Sequence, residues 1–192
     1  SVSEDAQAVG AANTLVKDVN GFIAADNTDV YGFEYLVKSL KVNLSQKKAI
    51  VLGAFGGAGQ AICYALKKGG AYVIGVSRNP HESSSYVDCA ITYDQLKLHY
   101  DANLLVNATP VGMFPHAGVS PLSKEELAAF TSLQCVIDLI YNPLRSQLLL
   151  DAESLGILNA NSLKMLVAQA ARASSLFLGK DVSDSQIENI SR

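Results

Sequence analysis

The sequence predicts an α/β fold built on a doubly wound parallel sheet, Rossmann-like in form, and three observations carry that expectation. From residue 49 onward short apolar runs alternate with helical stretches; the runs are apolar throughout rather than every second residue; and the first ends in a glycine-rich turn that opens a helix. Strands covered by helices on both faces read as unbroken apolar runs, the pattern of parallel sheets.

The elements follow in order. Ala11 to Val16 and Gly21 to Ala25 are extended runs joined by Lys17-Asp18-Val19-Asn20-Gly21, and Asn-Gly marks a hairpin. From Tyr31 to Lys41, Phe33, Leu36, Val37 and Leu40 recur at helical spacing, with Asp29 near the start. After a polar connector, Ala49 to Gly53, Ala58 to Lys68 and Ala71 to Val76 read as strand, helix, strand. Further strands are expected at Val87 to Ile91, Leu104 to Ala108, Cys135 to Ile140 and Gly156 to Asn159, with helices at Ser123 to Phe130 and Ser146 to Leu155. An alanine-rich helix, Lys164 to Leu178, stops at Gly179, and the tail after Asp181 reads as polar with a short terminal helix.

Bulk properties bound the function. At 192 residues the chain suits one large domain, or a domain and a fragment. Hydrophobic residues make up 49% and charged residues 17%, which sets it apart from disordered chains. A net charge of −3 argues against nucleic acid or an anionic membrane as the main partner, so any basic site is local. Cys63, Cys89 and Cys135 stand singly in apolar surroundings, which points to reduced, buried thiols in a cytoplasmic protein. His81, His99 and His116 have no ligand spacing with them, so no metal is expected. No apolar run approaches the ~18 residues of a membrane helix, and Ser1-Val2-Ser3-Glu4-Asp5 lacks the features of a signal peptide. The text opens on Ser in what reads as the end of a polar helix, so more sequence is expected upstream.

The segment Gly53-Ala54-Phe55-Gly56-Gly57-Ala58-Gly59 lies between the first apolar run and its helix, where a dinucleotide site needs a tight turn and bare backbone. The helix N-terminus there offers unpaired N–H groups to phosphates. Strict Gly-x-Gly-x-x-Gly spacing is not met from Gly53; shifted by one it gives Ala54, Gly56 and Gly59, so the loop is one residue longer or differently started. Alone it reads almost equally well as a generic strand-to-helix turn. The second strand decides, because it ends at Ser77-Arg78-Asn79, ~20 residues on, where this fold meets the adenine ribose. An acidic residue there would bind a 2′-hydroxyl, whereas the Arg78 guanidinium suits a 2′-phosphate, and the cofactor expected is NADP.

Seven stretches, in order over nearly the whole chain, resemble the shikimate dehydrogenase family. They are Gly10-Ala11-Ala12-Asn13-Thr14-Leu15, Asp26-Asn27-Thr28-Asp29, the glycine loop, Ser77-Arg78-Asn79, Asn107 to Met113, Asp138 to Pro143 and Met165 to Ala170. The resemblance implies an NADP-linked oxidoreductase of aromatic amino-acid (chorismate) biosynthesis that interconverts shikimate and 3-dehydroshikimate. By that analogy Asn13, Asp29 and Gln169 would bond the hydroxyls of a small ring acid, Tyr141 would line the same pocket, and Asp29 would be half of a catalytic Lys–Asp pair. Thr109, Leu139 and Ser162 would lie near the nicotinamide, and Gly53, Ala54, Gly56, Gly57, Ala58, Gly59, Ser77, Arg78 and Asn79 would hold the rest of the cofactor.

The family's lysine belongs to an Asn-x-Thr-x-Pro-x-Lys segment that these 192 residues do not contain, and Lys17, expected in the hairpin turn, is a poor substitute. Ser77 stands where the family has asparagine, and Ser162 where it has glycine. The expected organisation is a remnant of a substrate domain over 1–36, the NADP-binding domain over 37–160, and helices returning to the substrate domain over 161–192. A substrate domain left partial would expose an apolar face prone to homodimerisation or aggregation. Taken singly, Asn13 and Asn27 read as turn caps and Asp29 as a helix-start residue; their joint pattern favours the site. Two alternatives stay open: a non-catalytic NADP-binding module, and a quinate or shikimate dehydrogenase of other specificity.

Overall fold

The computed structural model describes residues 1–80 and 84–191; His81, and the expectation that names it, lies outside the described residues. The elements run α1 (Glu4–Val9), β1 (Thr14–Lys17), β2 (Ile23–Asp26), α2 (Thr28–Ser39), β3 (Lys48–Leu52), α3 (Gly57–Lys68), β4 (Tyr72–Val76) and β5 (Cys89–Ile91). They continue with a 3₁₀ helix (Tyr93–His99), β6 (Leu104–Asn107), α4 (Lys124–Ala128), β7 (Cys135–Asp138), α5 (Gln147–Ser154), β8 (Leu158–Asn161), α6 (Leu163–Leu178) and α7 (Asp184–Ile190). No described helix is long and apolar enough to cross a membrane.

The chain divides into two compact units, one of Asn43–Ser162 and one of Ser1–Val42 with the chain from Leu163 on. In the second of these, Ser3, Asn27 and Ser183 cap α1, α2 and α7 by accepting a backbone N–H of the first turn, each worth ~1 kcal/mol. Strands β1 and β2 pair antiparallel, with Thr14 opposite Asp26 and Lys17 opposite Ile23. Lys17 therefore belongs to the strand, and the turn begins at Asp18. There the Asp18 carboxylate accepts the N–H groups of Asn20 and Phe22, both at 2.8 Å, and Gly21 takes φ +89°. Helix α2 lies against α6 at Gly32, where an added Cβ would fall 2.6 Å from the Met165 carbonyl oxygen.

The Asn43–Ser162 unit is a six-stranded sheet in the order β5-β4-β3-β6-β7-β8, parallel at every pairing. Every residue of β6 and β7, and all but the first of β3 and β4, is buried, as the unbroken apolar runs required. Ile50, Leu52, Ile74, Leu105, Val136 and Leu148 anchor one core cluster, and full burial of each such side chain contributes ~1.5–3 kcal/mol. The chain winds outward from β3 through β4 to β5, then returns to β6 on the other side of β3. The order reverses between β3 and β6, and ligands of doubly wound sheets bind beyond the carboxyl ends of the strands at that point.

Further details differ from the sequence expectation. Strand β8 starts at Leu158 because Gly156, with φ +71° and its N–H bonded to Glu153 O at 3.0 Å, still closes α5. Cys63 and Cys135 are buried but Cys89 is half-buried. The 3₁₀ helix after β5 has no counterpart in the predicted elements; a Thr92–Gln95 capping box starts it.

Candidate functional site

The turn after β3 shows which glycine starts the loop. Gly53, at φ +76°, turns the chain, and a Cβ there would meet Thr109 Cγ2 at 2.9 Å and the Ala108 carbonyl at 3.2 Å, so the β3 and β6 loops close directly on each other. Gly59 is needed for a different reason: a Cβ on it would lie 2.2 Å from Gly53 O, so only glycine lets α3 pack onto the turn. Ala54 is fully buried and does not take the first-glycine role. The spacing that the turn and the helix packing define is thus Gly53-x-x-Gly56-x-x-Gly59, one residue longer than Gly-x-Gly-x-x-Gly.

Between these fixed points the backbone is open. Gly56 caps α3 with no side chain, Gly56, Gly57 and Ala58 are exposed, and a Cβ on Gly57 would meet nothing within 4 Å. The first N–H groups of α3 point outward with the positive end of the helix dipole behind them. This suits an anion that approaches the backbone closely.

A cleft of about 620 Å³ opens beside the loop, bounded by Gly53, Gly56, Ser77, Arg78, Thr109 and Pro110 among others. Arg78 is exposed at its edge, and the Ser77 hydroxyl accepts the Asn79 N–H at 3.1 Å, which bends the chain sharply after β4. Thr109 is held from behind: its hydroxyl (2.6 Å) and N–H (3.0 Å) both donate to the Asn107 side-chain oxygen. Asn107 in turn donates to Asp138, which also accepts from Ile140 N–H at 3.1 Å and from the Ser146 hydroxyl. Burial pushes the Asp138 carboxyl above its ordinary value, against the pull of the Ser146, Ile140 and Asn107 hydrogen bonds.

Leu139 and Ser162 do not border this cleft, but they meet each other: the Ser162 hydroxyl donates to Leu139 O at 2.6 Å. Tyr141, three residues past the end of β7, is 49% exposed.

In the other unit, Asn13, Asp29 and Gln169 come together around Thr28, a residue with no role in the sequence reading. The Thr28 hydroxyl lies 3.1 Å from both Asn13 Oδ1 and Gln169 Oε1, and its N–H donates to Asn13 at 3.0 Å. Asn27, not Asp29, is the N-cap of α2, so the Asp29 carboxyl is spared that duty. Burial raises the Asp29 pKa, and a side-chain hydrogen bond with Asn13 opposes the rise. A carboxyl flanked by two amides and a hydroxyl can hold a polyhydroxylated ligand, because each group keeps hydrogen-bonding capacity in reserve.

No family model matches the chain. An NADP(+) shikimate dehydrogenase of Caldanaerobacter subterraneus subsp. tengcongensis is 38% identical over 190 residues, covering 93% of this chain and 66% of the relative. A chorismate mutase/shikimate 5-dehydrogenase fusion protein from Clostridium acetobutylicum superposes with a TM-score of 0.90 at 34% identity, over 99% of this chain and 69% of that one. Shikimate 5-dehydrogenase from Thermus thermophilus, solved in complex with NADP(H) and shikimate, gives 0.84 at 35% identity over 100% of this chain and 71% of that one. The chain spans about 66% of the length of the curated relatives it matches first. Identity at this level, held along nearly all of these residues and joined to a matching fold, establishes descent: the chain belongs to the shikimate dehydrogenase family.

Proposed function

We propose that this chain carries the NADP-binding part and a portion of the substrate-binding part of an oxidoreductase interconverting shikimate and 3-dehydroshikimate, in aromatic amino-acid biosynthesis. The observation that carries the reading is Arg78 at the edge of the cleft beside a bare glycine loop. A guanidinium there matches a 2′-phosphate, and the open backbone from Gly56 to Ala58 matches a pyrophosphate. We read the Asn43–Ser162 unit as the cofactor domain and the unit that carries Asn13, Asp29 and Gln169 as the substrate side.

Bound NADP(H) supplies or accepts the hydride. The chain's own residues do the rest. Gly53 and Gly59 set the loop path, Gly56, Gly57 and Ala58 offer N–H groups to phosphates, and Ser77, Arg78 and Asn79 receive the adenosine end. Ala54 packs beneath the loop. Thr109, clamped by Asn107, forms a fixed wall, while Leu139 and Ser162 brace each other near the nicotinamide. Asn13 and Gln169 orient ring hydroxyls with Thr28 between them, and Tyr141, exposed beyond the end of β7, is assigned a substrate contact by the resemblance alone. Asp29 is the acidic member of the catalytic pair, its half-buried carboxyl suited to orient and stabilise a neighbouring ammonium. A cytoplasmic location is part of the same proposal, supported by the three free cysteines.

Titrating the 192-residue chain into NADPH and following nicotinamide fluorescence tests the reading. Saturable binding supports it, and no binding at millimolar protein removes it.

A further inference from the structure

We infer that Tyr93 is a base-binding residue of the cleft, the aromatic wall against which the adenine of a 2′-phosphorylated dinucleotide packs. This rests on the NADP reading above and goes beyond it by naming a contact that no family motif singles out.

Strand register places the residue. Val76 of β4 is level with Ile91 of β5, and Ser77 N–H donates to Ile91 O at 3.1 Å. Arg78 and Tyr93 each lie two residues past that matched pair, so the two side chains rise from neighbouring strand ends into one cleft. The Thr92 cap fixes the start of the 3₁₀ helix, and with it the first position, Tyr93. The ring is half-buried and rooted in the core cluster that includes Ile91 and Leu96, so one part is immobilised while another borders the cleft. Its hydroxyl lies within the field of the Arg78 charge.

The chemistry of the cleft points to a purine. Among the described residues that border it, Tyr93 alone is aromatic, and a base has a flat face that stacking on a ring satisfies regardless of its hydrogen-bonding edge. A second feature belongs to the same cleft: the Ser120 hydroxyl is buried with no hydrogen-bond partner among the described residues. A buried hydroxyl left unpaired is costly, and a polar base edge would relieve it. Arg78 thus takes the 2′-phosphate, Tyr93 the face of the base and Ser120 an edge.

The test uses the full 192-residue chain with three probes: NADPH, 2′,5′-ADP, which is its adenosine end, and NMNH, its nicotinamide end. Tyr93→Leu keeps apolar bulk on the core and removes the flat ring, so it is expected to weaken NADPH and 2′,5′-ADP alike by roughly tenfold. Tyr93→Phe restores binding to within about twofold, because the stacking face is retained. NMNH affinity stays the same in both variants. Unchanged 2′,5′-ADP binding in Tyr93→Leu overturns the inference while leaving the NADP reading intact; wild-type protein that binds neither NADPH nor 2′,5′-ADP overturns both. If Tyr93→Leu does not fold, proton NMR of the wild-type complex decides instead. Contacts from adenine protons to the Tyr93 ring support the assignment, and their absence overturns it.

Discussion

The Asn107 amide nitrogen lies 3.0 Å from the Asp138 carboxylate, and both side chains are fully buried at the matched ends of β6 and β7. This pair ties the wall of the cleft to the sheet, because the oxygen of the same amide holds Thr109. Removing Asp138 would leave the Asn107, Ile140 and Ser146 donors buried without an acceptor. Asp138→Ala is expected to destabilise the fold by ~3 kcal/mol or more in urea unfolding. A loss below ~1 kcal/mol would show that the network carries little of the stability.

The same carboxyl predicts a pH dependence. Burial is the leading cause of its raised pKa, so the folded state holds the proton more tightly than the unfolded chain, whose aspartate titrates near 3.8. Stability from this group is fully present below that value and is lost as pH rises through the folded-state pKa. In Asp138→Asn this dependence disappears. The stability advantage of the wild type over Asp138→Asn should therefore shrink as pH is raised above 3.8; an advantage that grows with pH would reverse the sign.

Two glycines of one loop should fail differently. Gly59→Ala forces a Cβ to within 2.2 Å of Gly53 O, so melting temperature should fall, with a cost of at least ~2 kcal/mol. Gly57→Ala meets open space and should fold normally, yet its methyl group stands where a pyrophosphate would reach the backbone. Its NADPH affinity should drop at least about tenfold with thermal stability unchanged. Gly57→Ala that binds NADPH like wild type would mean the phosphates lie elsewhere.

Asp29 has burial and Asn13 as the causes of its shift, and no cation among the described residues contributes. An acid–base group positioned by a neighbour is worth roughly 10² to 10⁴ in rate. The 192-residue chain, supplied with NADP and shikimate, should therefore turn over at least ~100-fold more slowly than a full-length relative. Comparable rates followed by absorbance at the NADPH band would show that the chemistry does not depend on a lysine partner for Asp29.

Much of this was legible in the sequence, for identifiable reasons. Strands such as Leu104–Asn107 and Cys135–Asp138 are buried on both faces and so carry no polar interruption until their ends. That a turn follows β3 and that Arg78 stands just past the end of β4 was legible because both are matters of local geometry, whereas the choice of Gly53 over Ala54 as the turning residue needed its φ of +76°. Thr28 was not: its partner Gln169 is 141 residues away, and only the crossing of α2 and α6 brings them together. Tyr93 escaped because a single aromatic after a short edge strand reads as core, and its place beside Arg78 depends on the β4–β5 register. Asp138 stood in a motif, but its partnership with Asn107 is a matter of strand order.

The central claim is that Arg78 grips a 2′-phosphate beside the Gly53 loop, and competing titrations of NADPH and NADH against wild type and Arg78→Ala test it most directly. Hydrogen bonds to a charged group are worth ~1.5–3 kcal/mol, so the substitution should weaken NADPH by about 10- to 100-fold and leave NADH within about twofold. Equal losses for both coenzymes, or no loss for either, would contradict the account.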